Sequence, residues 1–599
     1  MNLLPKVSRT EGNISNFEPS KIYESVLKET GISDKDAASI TELVVRRIIS
    51  SGIKFLSGPH IREMVCSVLS EQHFESERKL YTRIGMPLMD YEEILEKVYN
   101  GNLINPEKTH HWAANQISKE YAHLRLLDAG ESKAHLFGDI HINGLNYYDS
   151  RPFNQIWDLR LILKTGFPSF NGSKSFCKIK AANNLIEAVR HISKWIGMTQ
   201  SEFYGIQGFN NLTVYLAPYA QGLSQEKIKH AMTHLICEIN RISLVIGREI
   251  PPISISSSPI IFKELAELPA ITPGGRFKGI YDNYHEECLK LFKALTFAFK
   301  EEYQLIPLFK TPRHQIIFDN SWSEDNNEAY LNVWDEIKST KNSYLFNFCN
   351  NNYKKRFLEQ ISTDNYDNNG ELQNICLNLP RCAYQCQNED KLFDILIEKI
   401  NLCSEIFLKK YDMIKKRIAS KHLPLCSGSS NGFPIFNLDN QKFSISFVGL
   451  NETVKFLTNY ELHENADSFS YGIRVVKEMN KICLELSRNN NKNYILNENI
   501  SEKAINRFSK LDFKHFKNQI KSIFKEKNNI YSNSFHFRDG IKIDLFKRVK
   551  EQGEFHRMIH TGAVEHISLH ELRKYGINLN DFVKKVCKDS NLACVKFKS

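Results

Sequence analysis

The chain has 599 residues, 42% hydrophobic and 25% charged, with a net charge of +10, a balance that predicts a large buried core and two or more domains. No apolar run reaches the roughly 18 residues of a membrane-spanning helix, and interspersed rather than blocked basic charge suits small anionic ligands more than a nucleic acid. The opening MNLLPKVSRTEGN lacks an apolar signal core, and thirteen cysteines without one CxxC pair predict a cytoplasmic protein with neither a disulfide framework nor a metal site.

In chain order, PKVSRTEGNISNF reads as a hairpin turning at Glu11-Gly12. Pro19 and Ser20 open a helix with Ile22 and Val26 on one face and Gly31 as its stop; Ser33 caps a second, with Ala37, Ile40, Val44 and Ile48 as its stripe. Ile61, Val65 and Leu69 mark a third. These elements define a small, mostly helical module over 1–95, and YNGNLINPEKTHH places a linker at 96–111. From 112 to 599 helices alternate with apolar strands. Ile228, Met232, Leu235, Ile239 and Ile242 share a helical face that stops at Gly247, whereas Phe443, Ile445 and Phe447 alternate as in a strand. Ile375, Leu377 and Leu379 alternate likewise, with Cys376 and Asn378 on the opposite face and Cys382 and Cys386 on one helical face beyond. The fold class is α/β with a substantial sheet or barrel.

Three stretches of the first module, SRTEGNISNFEPSKI, VVRRIISSGIKFLSGPHIREMVCSVL and RKLYTRIGMP, make it similar to the ATP-cone, the nucleotide-sensing module of ribonucleotide reductases. The resemblance implies ATP and dATP as effectors and puts Arg9, Gly12 and Lys21 at the nucleotide, with Ser8 where a second basic residue is usual. Cationic side chains and backbone N–H groups at a turn are what a triphosphate requires. Arg46, Arg47 and Arg62 read instead as a solvated helix face.

The large region carries, in order, AHLFGDIHINGLNYYDSRPFNQIWDLR, YGIQGFNNLTVYLAPYAQGLS, ICLNLPRCAYQC, ISFVGLNETVKFLTNYELHENA, YSNSFHF and EFHRMIHTGAVEHISLHE. It resembles the anaerobic, glycyl-radical ribonucleoside-triphosphate reductases, especially archaeal forms with an ATP-cone. The resemblance implies a ten-stranded α/β barrel of two parallel five-stranded halves, traversed by a finger loop. It also implies the reaction: a radical-SAM activase makes a glycyl radical, which oxidises a finger-loop cysteine to a thiyl; the thiyl takes the ribose 3′ hydrogen, and formate or a thiol system completes loss of the 2′ hydroxyl.

The sequence departs from that pattern. The four-cysteine zinc ribbon and glycyl-radical loop, expected after CKDSNLACVKFKS, are not in it, and Gly576 in RKYGINL is read as a turn glycine before a helix. In SYLFNFCNNNYKKRFLEQISTDNYDNNG, where the family usually has a Cys-Cys-Arg-Leu run, the only cysteine is Cys349, 29 residues ahead of Asn378 and among unlike neighbours. Asn154 stands where a cysteine is common. By family position Asn451, Glu452, His463 and Glu464 contact the substrate; His135, His141, His556, His560 and His566 are read as packed rather than metal-bound.

The expected function is therefore reduction of ribonucleoside triphosphates to deoxyribonucleoside triphosphates under ATP/dATP control in a homo-oligomer. Its partners are an activase and a separate polypeptide that supplies the zinc site and the radical glycine. The alternative is a catalytically inactive, nucleotide-binding paralogue that regulates a full-length reductase.

Overall fold

The structure is a computed structural model. It describes residues 5–8, 14–53, 55–86, 88–96, 105–167, 179–246, 250–305, 311–319, 328–340, 343–349, 354, 369–386, 388–430, 432–499, 501–524, 530–538 and 540–598. The chain divides into two compact units, Met1–Ser132 and Lys133–Ser599. Among the described residues no helix is long and apolar enough to cross a membrane.

In the first unit, strands Lys6–Ser8 and Ile14–Asn16 pair antiparallel, and Phe55–Ser57 lies parallel on the other edge of Lys6–Ser8. The helices begin and end where their caps put them. Ser33 Oγ accepts from Asp36 N, Ser57 Oγ accepts from His60 N, and Gly31 closes Pro19–Thr30 at φ 72°. The predicted stripes form the core: Ile22, Val26, Ile40, Val44, Ile48, Val65 and Leu69 are all buried in one cluster. Arg46 and Arg47 lie on exposed helix surface, but Arg62 does not. It makes a two-point ion pair with Glu29 at 2.7 and 2.8 Å and donates to Tyr81 O. Within the stretch read as a linker, Asn105 caps a helix that runs Pro106–Tyr121.

The second unit is built on one large sheet with strands β1 (Ile140–Ile142), β2 (Asn154–Trp157), β3 (Gln207–Phe209), β4 (Ile253–Ser257), β5 (Arg313–Phe318), β6 (Ser343–Asn347), β7 (Asn369–Asn378), β8 (Lys442–Val448), β9 (Asn493–Leu496), β10 (Glu565–Ser568) and β11 (Cys594–Lys598). Strands β2 to β6 are parallel neighbours in chain order. Strands β7, β8 and β9 run parallel to one another, as do β10 and β11. The groups join antiparallel at β7/β2 and β6/β11. The remaining gap, between β9 and β10, is spanned by backbone bonds: His560 N donates to Leu496 O at 2.8 Å and Glu498 N to Thr561 O at 3.2 Å. Among the described residues, ten strands thus ring the unit as two parallel sets of five, and β1 adds antiparallel to β7.

Alternation along β8 separates the two faces. Phe443 stacks on Phe407 of the outer helix Glu389–Ala419 at 5.1 Å. Ser444 and Ser446 point the other way and bond the amide of Asn374, which also accepts from Asn143 and Asn499. The strand predicted to run through Leu379 stops one residue earlier, because a helix begins at Leu379 itself. That turn explains Asn-Leu-Pro-Arg. Asn378 Nδ2 donates to Gly138 O and Asp512 Oδ2, Arg381 Nε donates to Asp512 Oδ1 at 2.6 Å, and Tyr531 OH donates to Asp512 Oδ2 at 3.0 Å. Cys376 is fully buried beside Val448, Phe508 and Tyr531, as a packed side chain.

The helices of this unit include α1 (Glu328–Ser339), α2 (Leu450–Thr458) and α3 (Leu545–His556).

Candidate active site

A cavity of about 910 Å³ opens beyond the C-terminal end of β8. Its wall is set by a sharp turn. Val448 ends the strand, Gly449 has φ 80°, and α2 begins at once. A Cβ at Gly449 would stand 2.4 Å from Pro380 Cγ, so the turn admits only glycine. Asn451 and Glu452, predicted on a loop after the strand, therefore lie in the first turn of α2.

Glu452 is the most informative side chain of the site. It is 1% exposed and lines the cavity. Its Oε2 accepts from Ser532 Oγ at 2.7 Å and Ser532 N at 3.2 Å. Its Oε1 is buried without a hydrogen-bond partner among the described residues. Burial pushes its pKa up against the Ser532 bonds, and the nearby Glu461 adds to the rise. Asn451 plays a different part, in that its Oδ1 accepts from Leu462 N and fixes the following turn.

Glu461, which the sequence reading passed over, faces the same cavity at 2% exposure. Burial works to raise its pKa, but the Lys455 bond at 2.8 Å and the charges of Lys455 and Arg538 outweigh it and hold it low. Its Oε2 also lacks a hydrogen-bond partner among the described residues. His463 and Glu464 are not on the cavity wall. Glu464 Oε2 accepts from Glu461 N at 2.6 Å, and His463 Nδ1 stands 3.7 Å from Glu461 Oε2. They hold the turn that presents Glu461.

The far wall comes from residues 530–538, α3 and β10. Backbone bonds Gly449 N to Ser532 O and Leu450 N to Ser534 O tie this strap to the end of β8. Ser534 adopts φ 48°, an uncommon conformation for a non-glycine residue. His536 then donates across the β9/β10 gap: Nε2 is 2.7 Å from Glu498 Oε1 and Nδ1 is 3.6 Å from Glu565 Oε2. Burial opposes a charge on His536, but the two carboxylates prevail and raise its pKa to about 10. Burial and the His536 charge in turn drive His566 down to about 3. Arg548 of α3 pairs with Glu565 and Glu571 at 3.2 and 3.0 Å. Sequence reasoning weighed His556 and His566 as metal ligands and missed His536, whose signal was its place in YSNSFHF.

Inside the barrel, Glu371 is buried, and burial lifts its pKa to about 7 against the bonds from Asn154 and Asn497. Asn154, in the position where a cysteine is common, also accepts from Ile206 N at 2.7 Å. Cys349 lies two residues beyond β6. It is half-buried against the cluster that includes Cys587 and Val595, and burial pushes its thiol up to about 11. Lys21 is exposed and ion-paired with Glu18; Arg9 and Gly12 lie outside the described residues.

A second constellation resembles a catalytic one. Ser257 Oγ lies 2.6 Å from His314 Nε2, and His314 Nδ1 lies 2.8 Å from Glu336 Oε1, which accepts from Ser343 Oγ at 2.5 Å. The residue types match a serine hydrolase triad. Ser257, His314 and Glu336 are each 0% exposed, however, and His314 is stacked 4.4 Å from Phe299. No substrate reaches this group, and every polar atom of it is satisfied. It ties β4, β5 and β6 to α1.

A ring of ten strands in two parallel sets, with a polar lumen and a charged cavity at the strand ends, is the architecture of the glycyl-radical enzymes. Residues 100–599 match the family model for anaerobic ribonucleoside-triphosphate reductase, and the chain belongs to that family. It is 21% identical to the anaerobic ribonucleoside-triphosphate reductases of Salmonella typhimurium and Escherichia coli, in each case over 94% of this chain and 85% of the relative. Among solved structures it is similar to the anaerobic ribonucleotide reductase of Thermotoga maritima with dATP bound in the specificity site. That match has a TM-score of 0.69 at 16% identity and covers 85% of this chain and 87% of the other. The same enzyme in complex with dATP and CTP matches at a TM-score of 0.68 and 15% identity, over 85% and 86% of the two chains.

Proposed function

We propose that the protein reduces ribonucleoside triphosphates to deoxyribonucleoside triphosphates, with the substrate seated in the cavity beside α2. The observation that carries this reading is the free, buried Oε1 of Glu452. A buried acceptor without a partner costs about 1–3 kcal/mol, and a ribose hydroxyl is the donor that would satisfy it. Lys455 and Arg538, which share the single carboxylate of Glu461, and Lys598 leave net positive charge on the cavity wall for the phosphates.

Replacing the 2′ hydroxyl by hydrogen takes two electrons and two protons and releases water; a formate or thiol reductant supplies the electrons. A carboxyl with a raised pKa at the ribose can hold and return one of those protons. Cys349, which packs beyond β6 and not on the cavity wall, is proposed from its family position as the thiol that exchanges hydrogen with the sugar. Its high pKa keeps it as S–H at neutral pH, the form from which a hydrogen atom is taken. The radical glycine is proposed to come from a segment outside residues 1–599, generated by a radical-SAM activase. ATP and dATP are proposed to act on the first unit through Arg9, Gly12 and Lys21, in a homo-oligomer; such control is a coupling free energy between two nucleotide sites.

The test is anaerobic reconstitution with an activase, SAM, a reductant and a radical-glycine polypeptide, following conversion of CTP to dCTP. Product with the native chain and none with Glu452→Gln is expected. No product in any combination, with altered turnover of a complete reductase when this chain is added, would overturn the reading in favour of a regulatory paralogue.

A further inference from the structure

Gln552 lies on α3 and lines the same cavity at 1% exposure. Both ends of its amide, Oε1 and Nε2, lack a hydrogen-bond partner among the described residues. An orphaned buried amide is uncommon and costly. The helix that carries it cannot turn to relieve it. Next to it, Gly553 packs so closely that a Cβ there would meet Asn591 N at 2.9 Å. Glu554 accepts from Asn591 Nδ2 at 2.8 Å, and His556 Nδ1 accepts from Ala593 N at 3.0 Å. The amide is thus presented to the cavity from a rigid support.

The neighbouring charges restrict what the amide meets. Arg548, one turn earlier on the same face, is neutralised by Glu565 and Glu571, and His536 by Glu498 and Glu565. Two cations facing three carboxylates leave no net positive charge for a phosphate here, and the amide calls for a ligand that offers a donor and an acceptor side by side. The edge of a nucleobase has that pattern; a phosphate has no donor.

We infer that Gln552 reads the nucleobase edge of the bound nucleotide and sets which base the cavity prefers. The inference rests on the nucleotide reading of the cavity. It assigns the base to the α3 wall, leaving the sugar to Glu452 and the phosphates to the cationic residues.

The test is calorimetry of the full chain with ATP, CTP, GTP and UTP, for the native protein, Gln552→Leu and Gln552→Glu. Hydrogen exchange of peptides over 530–556 locates binding in this cavity. The native protein is expected to prefer one base, and Gln552→Leu to weaken that nucleotide about 10- to 100-fold while the others change less. Because leucine removes an unsatisfied amide, the unliganded variant melts at or above the native temperature, whereas a purely structural glutamine would lower it. Native-like affinities for all four nucleotides in both variants, with 530–556 still protected, would overturn the inference and leave the cavity reading standing. Absence of protection of 530–556 by any nucleotide in the native chain would withdraw both.

Discussion

Two polar clusters in the second unit use similar residue types to opposite ends. Ser257, His314 and Glu336 are fully buried, Ser343 is buried beside them, and each side-chain polar atom has a partner. The cavity beyond β8 holds Glu452, Glu461 and Gln552, nearly as buried, with polar atoms left over. The difference separates architecture from chemistry. A saturated buried network has repaid its desolvation inside the protein and has nothing left to bind with. An unsaturated one repays it only when a ligand arrives.

The comparison breaks most visibly at its saturated side. Glu336→Leu strands His314 and Ser343 in the core and is expected to lower stability by about 3–5 kcal/mol, measured by urea denaturation. Nucleotide affinity of the folded fraction should be unchanged. On the other side, Glu452→Gln is expected to lower turnover at least about a hundredfold, measured as dCTP formation, with stability within about 1 kcal/mol of native. Both variants affecting turnover and stability alike would erase the distinction.

A smaller effect lies on the far wall of the cavity, where His536 spans the β9/β10 gap. Its folded pKa of about 10 exceeds the ordinary 6.5, so the folded state binds the extra proton between those values. The stabilisation is complete below pH 6.5 and is lost as pH rises through 10. The melting temperature should fall from pH 7 to pH 10, and His536→Phe should flatten that slope. Smallest of all, Lys21→Ala removes an exposed ion pair with Glu18 and should change stability by less than about 0.5 kcal/mol. In the same variant, ATP affinity of the first unit is expected to drop if Lys21 meets the phosphates.

How much of this was legible in the sequence differed by region. The helix stripes of the first unit and the alternation of Phe443, Ile445 and Phe447 were plain, because local periodicity encodes burial directly. The order of motifs carried the barrel. Asn451 and Glu452 were located by position, although the immediate start of α2 after Gly449 was not foreseen; a left-handed glycine pressed against Pro380 is a tertiary fact. Arg62 looked like a solvated residue because Glu29, 33 positions away, is invisible to periodicity. His536 and Gln552 were missed for a related reason. Their roles depend on Glu498, Glu565 and the absence of partners, and an unmet hydrogen bond leaves no trace in a sequence.

The most direct test of the distinction between saturated and unsaturated clusters is a crystal structure of the chain grown anaerobically with the ribonucleoside triphosphate it binds best. The account predicts nucleotide density in the cavity, with a ribose hydroxyl within hydrogen-bond distance of Glu452 Oε1 and the base edge on the Gln552 amide. A nucleotide bound at full occupancy elsewhere on the second unit, with only water against Glu452 and Gln552, would contradict it.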